Sequence, residues 1–471
     1  MSTLFSKLYS VRFMVALSTI LLFFCSSLRH TLFQSNAFDL GIFDNGVYLI
    51  SQGQEPLVAF RGLHIIGDHA AFILYPLALL YRIFPQIHWL FFIQALSLSI
   101  GAFPTFYLAT QAGLKKSIAT AMAAVYLLYP VIFNLNLFDF HPEVIALPVL
   151  LWAILAAQLD RVFGFTVAVL LILSCKAVLS LTVVALGIWL LFFEKKKTCG
   201  IIAILSGCIW FVIATQIIIP YFSGGEPAGI KFYDSLGDST LEIALNLLLK
   251  PEIVFKQIFT LANLEYLILL TIPVIWGLNF RYFAPLIGAF PVLFLNLLSD
   301  SVQQKNLTQQ YSLPILPFLL VAMISTLAAG RGWLRQPKKI ILWSLVAFLA
   351  LAKYGYFGSR YLRHFNTVQA SHEAVALVNT KGSVLTADHI APHLTHRSVV
   401  MLSTKNAVNF DLNAFQYILL NRSYPGWDSS QDLVDNLVAK LQIMPNFKLR
   451  YQKSEVILFE NQKMNQKESE Q

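Results

Sequence analysis

A chain of 471 residues is long enough for more than one domain. Its composition, 57% hydrophobic and 13% charged, excludes an ordinary soluble protein, since soluble domains carry about 25% charged residues. The net charge of +9 does not point to nucleic acid, because the basic residues stand in short groups between apolar runs: Lys115 and Lys116, Lys195 to Lys197, and Arg331, Arg335, Lys338 and Lys339.

In chain order, apolar runs that meet or approach the span length of about 17–25 residues fall at 11–32, 88–110, 117–134, 143–159, 162–175, 177–193, 199–219, 263–279, 282–298, 312–329 and 340–357. The first has no small-x-small cleavage site after Cys25 and reads as an uncleaved span. The pair at 162–193 is short. A further apolar stretch, 69–84, is brief and carries Arg82. Laid in the outer interface, it lets every basic cluster fall inside and both acidic clusters, described below, share the outer face. The expectation is therefore an α-helical polytopic membrane protein with about eleven spans and outer-face interfacial helices. Its N-terminus is cytoplasmic, and segments 29–68, 134–143 and 221–262 and the C-terminal tail lie outside. An amphipathic stretch at 241–249 predicts a helical lid on segment 221–262. Cys25, Cys175, Cys199 and Cys208 lie in or beside apolar runs, with no metal-ligand spacing and no disulfide framework.

After Phe357 the composition shifts, dividing the chain into a membrane domain at 1–358, a small soluble extracytoplasmic α/β domain at 359–460 and a polar tail at 461–471, expected to be disordered. Strands are predicted at 383–387, 399–402, 415–420, 447–451 and 456–459, with helices at 372–378 and 429–441, the latter N-capped by Asp428. Asp388, His389, His393 and His396 could suggest a metal, but histidines at a loop-to-helix corner are more often unliganded.

Two acidic clusters follow apolar runs. In Phe38-Asp39-Leu40-Gly41-Ile42-Phe43-Asp44, a partly desolvated carboxylate can act as general base or help hold a divalent ion, and Asp39 and Asp44 are the catalytic candidates. The plainer alternative is a helix N-cap, a role open to at most one of the two. Arg61, His64, Asp68 and His69 close the same loop, and an arginine and histidines near carboxylates can bind phosphate, although a solvated loop uses the same letters. In the second cluster Asp139, His141 and Glu143 alternate around Pro142, a ligand set suited to magnesium or manganese. Lys176 interrupts a long apolar stretch at the turn between two short helices, either as a phosphate-binding lysine or as a snorkelling one.

These segments, with Gly67-Asp68-His69, Gln94-Ala95, Phe140-His141-Pro142-Glu143, Leu236-Gly237-Asp238 and Tyr311-Ser312, resemble the bacterial DUF2079 family of predicted membrane proteins, itself similar to the GT-C superfamily of membrane glycosyltransferases. The resemblance implies a catalytic or metal-binding acid after the first span, where Asp39 stands, and a second acid at Asp139 or Glu143. It also implies substrate contacts that include Tyr311. Where the family has Lys-Glu-Asp, this chain has Lys176-Ala177-Val178, so an acid role at that turn is lost. The implied activity is transfer of a sugar from a polyprenyl-phosphate donor to an envelope acceptor on the outer face of the plasma membrane. The rival is a lipid or solute transporter using the same acids as a cation or proton relay.

Overall fold

The computed structural model describes residues 10–226 and 228–464. Helix α1 (Val11–Thr31) leads through a π turn (Ala37–Gly41) into α2 (Ile42–Ser51), then a hairpin of β1 (Leu57–Val58) and β2 (Leu63–His64), the short α3 (Ile65–His69) and α4 (Leu74–Ile83). There follow α5 (His88–Gln111), α6 (Lys116–Asn136), α7 (Glu143–Gln158), α8 (Val162–Cys175), α9 (Leu179–Phe192) and α10 (Lys197–Ser223). Helices α11 (Thr240–Leu249), α12 (Pro251–Ile258), α13 (Leu261–Thr271), α14 (Phe290–Leu298), α15 (Gln310–Ala328) and α16 (Pro337–Arg363) complete the apolar part.

Among the described residues, α1, α5, α6, α10, α15 and α16 are the 6 helices long and apolar enough to cross a membrane, or 7 spans if α12 and α13, bent by 56° at their junction, count as one. The eleven expected runs thus resolve into these and a set of shorter apolar helices. The run at 282–298 is helical only from Phe290, because Pro285 and Pro291 each remove a backbone donor and confine the start to 3-10 turns. Helices α8 and α9 have 14 residues each, about 21 Å against a hydrocarbon core of about 30 Å. The stretch expected in the interface is shorter still: α4 has 10 residues, and Ala70 before it takes φ +51°. Close helix approach is written in glycine. A Cβ on Gly187 of α9 would stand 2.7 Å from the carbonyl oxygen of Gly200 in α10, so these backbones meet where no side chain fits.

The chain folds into two compact units. The first comprises the described residues through Cys25, Ile66–Ile73 and Leu90–Lys353; the second comprises Ser26–Ile65, Leu74–Trp89 and the described residues from Tyr354 on. The second unit therefore includes most of the first loop as well as the C-terminal α/β fold. Its sheet has the order β4 (Val400–Leu402), β3 (Val384–Thr386), β5 (Tyr417–Asn421), β7 (Val456–Asn461), β6 (Phe447–Lys453), with β3 parallel to both β4 and β5 and the β7 pairings antiparallel. Strand alternation sends Ile418 and Leu420 toward α18 (Gln431–Ile443), and Tyr417 and Leu419 toward α17 (Phe365–Ala376). Phe33 of the first loop joins the α17 core, and Ala37 packs with Ala391, Val400 and Leu402.

All five strands predicted here form. The N-cap of α18 is Ser430, whose hydroxyl accepts from the Leu433 N–H at 3.2 Å; it is not Asp428, which sits at φ +52° and pairs with Lys405 at 3.1 Å. The expected tail begins later than Asn461, which ends β7, and its residues 465–471 lie outside the described residues.

The charge pattern yields a topology test. In a background lacking the four native cysteines, single cysteines at the exposed positions Gln54, Asp234 and Ser423 are expected to react with an impermeant thiol reagent added outside intact cells, and one at Ser117 is not. Labelling of Gln54 and Ser117 from the same side would overturn the assigned orientation.

Candidate active site

In the second unit the Asp39 turn is built from its cap. Asn36 has extended backbone, and its side-chain oxygen accepts from the Phe38 N–H at 2.7 Å, so the capping role belongs to Asn36 and leaves the half-buried Asp39 without it. Gly41 lies close under the β1–β2 hairpin: a Cβ there would stand 3.1 Å from the Phe60 ring, which would have to shift by a few tenths of an ångström. Arg61 is exposed at the hairpin tip beside Gly62, which takes φ +64°, and His64 is buried in β2.

Asp44 is in a different situation. It is fully buried, with one oxygen accepting from the Tyr81 hydroxyl at 2.5 Å and the other facing the Thr395 hydroxyl and His396 Nε2, the latter at 3.1 Å. His396 stacks on Tyr48 at 4.6 Å, and the Asn45 amide donates to the carbonyls of Thr395 (2.7 Å) and Arg397 (2.9 Å). Tyr81, Thr395 and His396 carry this arrangement, and the motif reading passed over all three as partners of Asp44. The polar Tyr81 inside apolar α4 was the one local signal for it.

In the first unit Asp139, His141 and Glu143 are all buried. His141 Nδ1 lies 3.3 Å from the Asp139 carbonyl oxygen, and its ring stacks on Phe138 at 5.5 Å. Glu143 opens α7 directly after Pro142 and bonds the Lys176 ammonium through one oxygen; its second oxygen is buried with no hydrogen-bond partner. Lys176 projects from the extended break between α8 and α9. Segment 66–73 docks beside it: the Ala177 N–H donates to the His69 carbonyl (2.9 Å), and the Ile73 N–H to that of Ser174 (3.0 Å). Asp68 and His69 stand 3.5 Å apart at their nearest side-chain atoms. A Cβ on Gly67 would stand 2.7 Å from the Phe222 backbone, so only glycine fits this docking. Ala177 packs with Ala70, Ala214 and Ile219, an apolar cluster in which a carboxylate would be costly. Tyr311 is half-buried, its carbonyl accepting from the Asn296 amide at 3.2 Å.

Among the described residues no three His, Cys, Asp or Glu side chains are grouped to hold a metal ion. In this arrangement Glu143 bonds a lysine and His141 turns to a backbone carbonyl, so the Asp139, His141, Glu143 set does not fit magnesium or manganese as it stands, and no chemical step is routed through an ion. The three C-terminal histidines with metal-like spacing also disperse: His396 goes to Asp44, His393 stacks on His30 at 3.9 Å, and His389 stacks on Tyr424 at 3.9 Å, with Asp388 remaining beside His389.

The family described as "Predicted membrane protein (DUF2079)" matches residues 29–458, so the chain belongs to that family. Among solved structures, the fold is similar to ArnT from Cupriavidus metallidurans. The apo crystal structure aligns with TM-score 0.57 and 12% identity over 97% of this chain and 98% of that one. The structure bound to undecaprenyl phosphate aligns with TM-score 0.54 and 14% identity over 95% and 97%. A comparison with proteins of curated function finds no match.

The two loop acids are expected to behave differently. Asp44→Ala strands the buried Tyr81 and Thr395 hydroxyls and costs about 3 kcal/mol, read as lost hydrogen-exchange protection in the second unit; Asp39→Asn leaves that protection unchanged. The histidines add a pH dependence. Burial lowers the pKa of His389, partly opposed by Asp388, and lowers that of His393 to about 3, with His372 and His389 adding to the shift. Both folded values lie below the unfolded one, so their contribution is full above about pH 6.5 and falls as pH drops through the window below it, by about 1 kcal/mol per pH unit and histidine. Protection of β3 and β5 amides, corrected for intrinsic exchange, is expected to be lower at pH 5 than at pH 7, with a shallower slope in His393→Phe.

Proposed function

We propose that this DUF2079 membrane protein is a glycosyltransferase of the GT-C type, taking a sugar from a polyprenyl-phosphate donor and passing it to an envelope acceptor at the outer face of the bacterial plasma membrane. The observation that carries the reading is likeness in fold over nearly the whole of both chains to ArnT in a structure bound to undecaprenyl phosphate, beside the resemblance of the motifs to the GT-C superfamily. An apolar cavity of about 550 Å³ in the first unit, lined by Leu181, Val184, Ile188, Phe283 and Leu286 among others, suits a lipid-linked donor.

Asp39 is the proposed base. It removes the proton from the acceptor nucleophile as that atom bonds the anomeric carbon; the bond from that carbon to the phosphate oxygen breaks, and polyprenyl phosphate leaves with the electron pair. The developing phosphate charge calls for a cation: Arg61 is the candidate in the unit that carries Asp39, and Lys176 and His69 are candidate phosphate contacts of the first unit. Lys176 already faces Glu143, so a phosphate taken there would share the lysine with that carboxylate. Asp44, with both oxygens engaged, acts by positioning the loop that carries Asp39. His64, Asp68 and Tyr311 remain proposed substrate contacts, and Asp139 and His141 second-cluster supports.

The buried Lys176–Glu143 pair is also what a proton or cation relay would use, which keeps the transporter as the second reading. Lipid and glycan mass spectrometry of a deletion strain separates the two: an envelope component lacking a sugar indicates transfer, and a lipid accumulating on the inner leaflet indicates flipping. In the complemented strain, Asp39→Asn is expected to reach normal membrane levels with activity reduced about 10²–10⁴-fold. Full complementation by that variant would remove the catalytic assignment.

A further inference from the structure

The parallel part of the sheet, in the order β4-β3-β5, changes direction at β3: the chain leaves β3 for a neighbour on one side and returns to place β5 on the other. In open α/β sheets, the loops beyond the carboxyl ends of strands flanking such a reversal leave a crevice that accepts ligands. Here they hold Asp388 and His389 after β3, Ser403 after β4, and Trp427 after β5. Hydrogen bonds tie the three loops together. The Ser403 N–H donates to the Thr386 carbonyl (2.8 Å), the Trp427 N–H to the Asp388 carboxylate (3.1 Å), and the Lys405 N–H to the Asp428 carbonyl (2.8 Å).

The polar atoms there are buried and unsatisfied. The Ser403 hydroxyl and both ring nitrogens of His389 have no hydrogen-bond partner, and each residue is 2% exposed. The nearest carboxylate oxygen of Asp388 lies 3.6 Å from His389 Nδ1, beyond hydrogen-bond reach. Buried polar groups are almost always satisfied, so three orphans around one strand reversal call for a partner. Beside them Trp427 is 57% exposed, with the Phe38 ring edge-on at 5.0 Å, and Phe38 precedes Asp39 in the chain. An open aromatic plate suits the C–H face of a sugar ring, and a carboxylate, a hydroxyl and an imidazole suit its hydroxyl groups. A phosphate would meet repulsion from Asp388.

We infer that the loops at the carboxyl ends of β3, β4 and β5 form a saccharide subsite, in which a pyranose ring lies on Trp427 and its hydroxyls bond Asp388, Ser403 and His389. This inference rests on the transferase reading when it assigns the bound sugar to the acceptor, the substrate that must come to Asp39 without a lipid-phosphate headgroup.

The test uses the full chain in detergent micelles on an array of bacterial lipopolysaccharide-core, O-antigen and capsular oligosaccharides. Wild type is expected to bind a subset of these. Trp427→Ala and Asp388→Asn each reduce that signal at least tenfold, Trp427→Phe keeps most of it, and Trp333→Ala, at an exposed tryptophan of the first unit, leaves it unchanged. The aromatic and isosteric variants guard against misfolding as the cause. Absence of glycan binding by wild type, or its retention in both Trp427→Ala and Asp388→Asn, overturns the subsite. Envelope composition keeps the two ideas apart. A deletion strain lacking an envelope sugar with no glycan binding by wild type removes the subsite alone; a deletion strain whose envelope keeps every sugar, with Trp427-dependent binding, removes the transferase and leaves the subsite.

Discussion

The burial of Asp44 organises the second unit. A carboxylate removed from water survives only when its oxygens are met by donors, and here the hydroxyls of a tyrosine from α4 and a threonine from the α/β fold donate to it, with His396 Nε2 3.1 Å away. Three separate stretches of chain are held at one point. Asp39 stands only five residues before this anchor, so the conformation of its turn is fixed by polar bonding as well as by the packing of Ala37 and Phe60.

The first unit handles its own buried charge differently. Lys176 and Glu143 neutralise one another within the helical bundle, which reduces the cost of holding either in an apolar setting. Glycine makes the surrounding approach possible: Gly67 lets segment 66–73 lie against the Phe222 backbone, and the α9–α10 glycines let the short α9 touch the long α10. The ammonium and the carboxylate therefore sit in a defined geometry within the bundle.

Much of this was legible in the sequence, and the reasons for the rest are physical. Strand alternation and hydropathy located the five C-terminal strands and the long helices, because both signals are local. The runs at 263–279 and 282–298 misled, since hydropathy counts apolar residues but is blind to a proline's missing donor, and the helices they contain are shorter than the runs. The Asp39 and Glu143 positions stood out as polar breaks in apolar text. Their partners did not: Thr395 lies 351 residues from Asp44, and Lys176 lies 33 from Glu143, separations that no spacing rule spans. The cap at Asn36 was readable in principle, as an Asn just before the turn, but Asp39 three residues on is an equally good capping residue type.

The long reach from Asp44 to Thr395 also bears on how the protein is made. Synthesis proceeds at about 5–20 residues per second, so the first loop emerges on the order of 20–70 seconds before the strands that complete its core exist. During that interval Phe33, Ala37 and Asp44 have none of their C-terminal partners, and the loop waits as a partly apolar stretch of chain. Biogenesis of this protein is therefore a problem of holding an early segment unaggregated until a late one arrives, and the machinery that folds it must act across the time of nearly a whole translation.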